Sequence, residues 1–225
     1  MSRKFSVSNI IWDKGKENIE SFMKEAKELG LEAIELALNC IWEEPVDLEI
    51  SELLWLRNKV KDYDLKISAL HALTFTRPDL NFFKDKGSCL EACNYIFKYI
   101  DIANYLEVNH LVLGSPSLRR TYNKNIRECD DIFNEVLTIY DKRAKGVILN
   151  IEPLPIEYCE YINSIEEANE LAESYDNIEV QLDTRTLVEQ KINFLPKDIV
   201  FEHCQIGNPE MCFHDSKFDH FHIAY

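Results

Sequence analysis

Val147-Ile148-Leu149-Asn150-Ile151-Glu152, Ile178-Glu179-Val180-Gln181-Leu182-Asp183 and Ile199-Val200-Phe201-Glu202-His203-Cys204-Gln205 are three apolar runs, each ending in polar side chains of the kind that hold ligands. Each reads as a buried strand. A strand sends alternate side chains to opposite faces, so Asn150 with Glu152, Gln181 with Asp183, and His203 with Gln205 form polar pairs on one face of three successive strands. Burying such groups is unfavourable unless a metal or ligand compensates them. Helical patterns separate the three runs, which is the βα alternation of a parallel sheet, and in such folds active groups gather at the carboxyl ends of the strands.

Upstream, the same unit repeats. Lys4-Phe5-Ser6-Val7-Ser8 reads as a first strand, and residues 17–29 carry apolar side chains at helical spacing before a stop at Gly30. Residues 31–38 form a second strand, 50–63 a helix, 66–73 a third strand containing His71, and 90–106 a strongly amphipathic helix. A short strand at 110–113 closes at Gly114-Ser115-Pro116, and a helix over 126–144 leads into Val147. Successive strands lie about 30 to 40 residues apart, the size of one βα unit, and no Gly-rich phosphate loop follows the first. The expected fold is therefore α/β, a (β/α) TIM-like barrel, rather than a doubly wound sheet. The strands near 178 and 199 are the sixth and seventh. Residues 213–225 end in a helix-like stretch, Phe218-Asp219-His220-Phe221-His222-Ile223-Ala224, so the expected barrel lacks its eighth strand. A gap there exposes edge groups on the first and seventh strands. Three ways of covering it are expected: the C-terminal helix folds over it, a second copy packs there as a homodimer, or the chain is a shortened version of a longer product.

Composition bounds the rest. With 225 residues, 46% hydrophobic and 11% aromatic, the chain can bury one full core, so a single domain over 1–225 is expected. There is no charged-then-apolar leader and no apolar run near the ~18 residues of a membrane span, which predicts no membrane partner and a cytoplasmic location. Cys40, Cys89, Cys93, Cys129, Cys159, Cys204 and Cys212 are scattered without a CxxC pair, as suits reduced, packed thiols. A formal charge of −15 with no basic stripe argues against nucleic acid.

Gly114-Ser115-Pro116 with Arg119, Ile151-Glu152-Pro153-Leu154-Pro155, Leu182-Asp183-Thr184 and Ile206-Gly207-Asn208-Pro209 together give a likeness that runs in register over nearly the whole chain. The sequence resembles the xylose-isomerase-like TIM barrels, which include sugar phosphate isomerases/epimerases, tagatose-type 3-epimerases and apurinic endonucleases. The resemblance implies a divalent metal (Mn, Mg, Co or Zn) held by a Glu from the fifth strand, an Asp from the sixth, a His from the seventh and a Glu from the eighth. Here those positions map to Glu152, Asp183 and a residue at 203 or 205, with the last ligand absent. Aligning the tail of the seventh strand puts Gln205 at the ligand position and His203 two residues upstream on the same face; an amide oxygen is a competent ligand for a hard ion.

The resemblance also implies a reaction on a sugar or sugar phosphate, in which proton removal beside a carbonyl builds an enediolate. Glu152 would be ligand and base, and Asp183 a metal anchor. His71, Ser115 and Asn150 would contact substrate, and Arg119 would pair with a phosphate or carboxylate. Thr186 stands where many relatives place a histidine.

Each position also has a plainer role: a structural ion pair for Glu152 and Asp183, a satisfied core histidine for His71, a structural partner for Glu35, and a solvated turn for Arg119 with Arg120. His214, His220 and His222 share no single helical face. Two function classes follow: a metal-dependent isomerase/epimerase, or a non-catalytic sugar-binding relative with a degraded metal site. Phosphodiester hydrolysis on three zinc ions, a third, calls for histidines this chain lacks.

Overall fold

Strand and helix alternate as the hydrophobic periods dictate. The computed structural model describes residues 4–191, 203–207 and 220–224. The strands are β1 (Lys4–Ser8), β2 (Ala33–Leu36), β3 (Lys66–Leu70), β4 (His110–Leu113), β5 (Ile148–Ile151), β6 (Ile178–Val180), β7 (Leu182–Asp183), β8 (His203–Gly207) and β9 (His220–Ala224). Between them lie α1 (Ile19–Glu28), α2 (Ile50–Asp62), α3 (Lys86–Leu106), α4 (Ile126–Arg143), α5 (Ile165–Ala172) and α6 (Thr184–Glu189).

Local chemistry sets the helix ends. Asn125 with Glu128 and Ser164 with Glu167 form reciprocal capping boxes that start α4 and α5. Asp85 accepts from the Ser88 N–H and starts α3 four residues before the expected 90, because a cap can outweigh the loop-like look of Lys84 to Gly87. In α1 the buried residues Ile19, Phe22, Met23 and Ala26 recur at helical spacing and form one stripe facing the sheet.

β1 through β6 pair in sequence order and in parallel, as do β7 and β8. Only Gln181 separates β6 from β7, so the two ends of the nine-strand order belong to one stave, and the sheet closes into a ring of eight. The eighth place is taken by β9, antiparallel to both neighbours: Ser6 pairs with His222 on one side and Gln205 with His222 on the other. This corrects the helix expected at 218–224. His220-Phe221-His222-Ile223 also alternates with period two, and the unpaired edges of β1 and β8 decide between the two readings by supplying partners on both sides. No parallel eighth strand stands among the described residues. The cover over the seam is a strand of this chain, so the open edge that called for a second copy is already paired.

Outward-facing residues such as Leu36, Leu70, Leu111, Leu149, Ile151 and Val180 meet Phe22, Leu56, Ile96, Phe133 and Leu137 in the main hydrophobic core. The barrel interior is different: Ser6, Ser8, Glu35, Asn150 and Gln181 are all fully buried. On β3 the register slips, Ile34 pairing with Ile67 but Leu36 with Leu70. That bulge lets Ser68 and His71, three residues apart, reach the same face of β1: Ser68 Oγ donates to Ser6 Oγ at 3.0 Å, and His71 Nε2 lies 2.5 Å from Ser8 Oγ.

Candidate active site

Glu152 stands one residue beyond β5, its backbone N–H donating to Leu113 O at 3.2 Å and so extending the ladder to the mouth of the barrel. Its carboxyl lies over Gly114, where an added Cβ would sit 1.7 Å from Oε2. The glycine of the Gly114-Ser115-Pro116 motif is therefore a matter of space: the strand beside Glu152 must lack a side chain. Asp183, at the end of β7, shares a hydrogen bond with the Glu152 carboxyl, and Thr186 Oγ1 donates to Asp183 Oδ2 at 3.5 Å. Burial, then the charge of Asp183, push the Glu152 carboxyl up to about 8; Arg119 opposes them and Glu35 adds to them.

Arg119, in the turn after β4, departs from the solvated turn expected of it. It is fully buried, and its guanidinium donates to Glu152 O at 3.0 Å and Tyr161 O at 3.3 Å. It does not lie in a solvated turn; it clamps the backbone that carries Glu152. Asn150, expected at the substrate, is fully buried two residues beneath Glu152 and donates through Nδ2 to Leu111 O at 3.2 Å, so the wall of the barrel holds it. Ser115 is half-buried just beyond β4.

Across the mouth, β1 to β3 contribute Ser8, Glu35 and His71. His71 is buried, with Ser8 Oγ 2.5 Å from Nε2 and Glu35 Oε1 3.8 Å from Nδ1. Ser8 Oγ also accepts from the Ile10 N–H at 3.1 Å, which fixes the hydroxyl at the strand end. Glu35 lies near enough to Glu152 for its charge to raise that carboxyl. Ser8 was missed from sequence, although Ser6 and Ser8 on one face of a buried strand were the signal. Glu35, read as a structural partner, stands beside His71 in that role, and its charge also reaches Glu152.

β8 brings Gln205 beside Asp183 and Cys204 beside Leu182 in the parallel ladder. The side chains of His203 and Gln205 lie outside the described residues. Among those described, no group of three His, Cys, Asp or Glu is placed to hold a metal. The Glu152 and Asp183 pair nonetheless suits a divalent cation. A buried carboxyl and a half-buried one sharing a hydrogen bond are held together by a proton, and a hard cation that binds oxygen would replace that proton.

The sequence profile described as "Xylose isomerase-like TIM barrel" matches residues 23–224. The chain belongs to the xylose isomerase-like TIM barrel family. Among solved structures it resembles a D-psicose 3-epimerase (15% identity, TM-score 0.68, 84% of this chain and 66% of that one). It also resembles the D-psicose 3-epimerase of Clostridium cellulolyticum H10 (14%, 0.71, 91% and 73%). A third likeness is to 3-keto-D-glucoside 4-epimerase, YcjR, of E. coli (13%, 0.69, 92% and 80%). Comparison with curated proteins yields no match. At these identities the likeness is one of fold. Within the family barrel, no described helix is long and apolar enough to cross a membrane.

Proposed function

We propose that this xylose isomerase-like barrel is a divalent-metal-dependent isomerase or epimerase acting on a sugar or sugar phosphate, through an enediolate formed by proton transfer. The observation that carries the reading is Glu152, a buried carboxyl at the carboxyl end of the barrel, set over Gly114 and hydrogen-bonded to Asp183. A carboxylate held in place at the barrel mouth can take a proton from carbon and return it. Asp183, hydrogen-bonded to Glu152, would hold the cation with it, His203 or Gln205 being the further candidates from β8. A bound divalent cation supplies Lewis-acid stabilisation of the sugar's carbonyl and neighbouring hydroxyl oxygens.

Arg119 keeps the Glu152 backbone in place, and the Ser8 and His71 pair presents a polar wall on the opposite side. Glu35, Glu152 and Asp183 converge there while Arg119 is spent on carbonyls, so the electrostatics favour a neutral sugar over its phosphate. The epimerases named among the structural neighbours support the same class of reaction.

The test is purification without chelator, metal analysis, and NMR of ketoses and their phosphates in D2O with Mn2+. Deuterium entering beside the carbonyl, with a new epimer or isomer, is expected, and Glu152→Gln should lower the rate by roughly 10²-fold or more with the fold intact. No metal after soaking in excess, or no exchange with any sugar, would overturn the reading. A sugar-binding protein without turnover is the second reading. It is favoured by the eighth stave, whose residues His220-Phe221-His222-Ile223-Ala224 bring no carboxylate to the site. Calorimetric binding of a ketose without exchange would establish it.

A further inference from the structure

Beside the acid pair lies a group that neither packing nor hydrogen bonding accounts for. Gln181 joins β6 to β7, and its backbone N–H donates to Ile151 O at 2.8 Å, which keeps the stave in the ladder. Its neighbours Val180 and Leu182 belong to the main hydrophobic core, so the Gln181 side chain turns the other way, into the barrel. There it is fully buried, and neither Nε2 nor Oε1 has a hydrogen-bond partner among the described residues. A polar group left in that state costs roughly 1–3 kcal/mol. A leucine at this position would simply continue the apolar run. Because Ile151 pairs with Val180, Gln181 is the next residue in the ladder beside Glu152, and Asp183 follows two residues later on the same face.

We propose that Gln181 is the third protein donor to the divalent cation of Glu152 and Asp183, binding it through its amide oxygen. The inference rests on the metal reading above and extends it. Two carboxylates with an amide oxygen make an all-oxygen set, the kind that suits Mg2+ or Mn2+. The other half of the amide has a use as well: Asn150 Oδ1, on the same face of β5 below Glu152, is a buried acceptor with no partner among the described residues, and Gln181 Nε2 is a donor in the same condition. With oxygen to the cation and nitrogen to Asn150, every polar atom of the amide has a role.

Mn2+ is titrated into metal-stripped wild type and Gln181→Leu, with free Mn2+ read by electron paramagnetic resonance and the fold by circular dichroism. The leucine variant should bind Mn2+ about tenfold more weakly or worse, yet melt higher than wild type when metal-free, since an unpartnered amide has been removed. Gln181→Met, close to isosteric, keeps the test valid should leucine leave a void. Binding by both variants within about twofold of wild type would overturn the inference while leaving the metal reading intact. Failure of wild type itself to bind Mn2+ would overturn the metal reading and this inference together. An Mn2+-soaked crystal with Oε1 about 2.2 Å from the ion would secure it.

Discussion

Glu152 is the residue on which the chemistry turns, and its environment makes a pH prediction with a definite sign. In the unfolded chain a glutamate ionises near ~4.3. In the metal-free fold the Glu152 carboxyl keeps its proton to about 8, because it is buried and faces Asp183. Between those two values the unfolded chain has released a proton that the native chain still holds, so native stability falls as pH rises through the window and levels off above it. Melting in chelator from pH 5 to 9 should show that decline, on the order of a few kcal/mol, and Glu152→Gln should flatten it. A wild-type melting temperature that stays level or climbs would mean an ordinary carboxylate. Gly114→Ala is the second test at this scale. The new Cβ meets only the far end of the Glu152 side chain, so the fold should lose about 1 kcal/mol while the carboxyl is displaced. Turnover and Mn2+ affinity should both drop in a variant whose circular dichroism is unchanged. From sequence, Glu152 and Asp183 were legible as paired acids at strand ends, whereas the role of Gly114 was hidden because only packing shows whose atoms fill its missing side chain.

Among the elements, the turn after β4 is tied to the end of β5 by a single side chain. Arg119 serves two backbone carbonyls, those of Glu152 and Tyr161, and Tyr161 packs edge-on against Phe83 and Phe133 at centroid distances of 5.0 and 5.7 Å. Arg119→Leu removes a buried cation along with the donors to both carbonyls, so a loss on the order of 3 kcal/mol in denaturant unfolding is expected. The same change lifts an influence that lowers the Glu152 carboxyl, so the pH window described above should extend upward. Lysine should restore little, since one ammonium does not reproduce the guanidinium fork. Sequence placed Arg119 after the fourth strand but gave it the wrong company. A basic residue in a polar turn reads as solvated, and its burial depends on the segments carrying Glu152 and Tyr161 arriving beside it.

For the whole molecule the decisive feature is closure. β9 pairs with β1 and β8 and leaves neither edge open, so the ring is complete although its last stave runs against the others. Deleting 218–225 should expose two strand edges at once. Light scattering is then expected to show dimers or larger particles where the full chain stays smaller, and a deletion variant identical in size to the full chain would mean that β9 does not seal the seam.

The order of strands and helices up to residue 183, the family likeness and the acid pair were all set by local pattern: period-two and period-3.6 burial, caps, and polar residues interrupting apolar runs at strand ends. Distant partners decided the remainder. Whether 220–224 is helix or strand depends on edges contributed by residues 4–8 and 203–207; whether Arg119 meets solvent or carbonyls depends on backbone 33 and 42 residues away in sequence; and Ser8, Glu35 and His71 become one group only when three strands stand side by side. Such contacts join residues that are far apart along the chain, and a local period carries no record of which of them will meet.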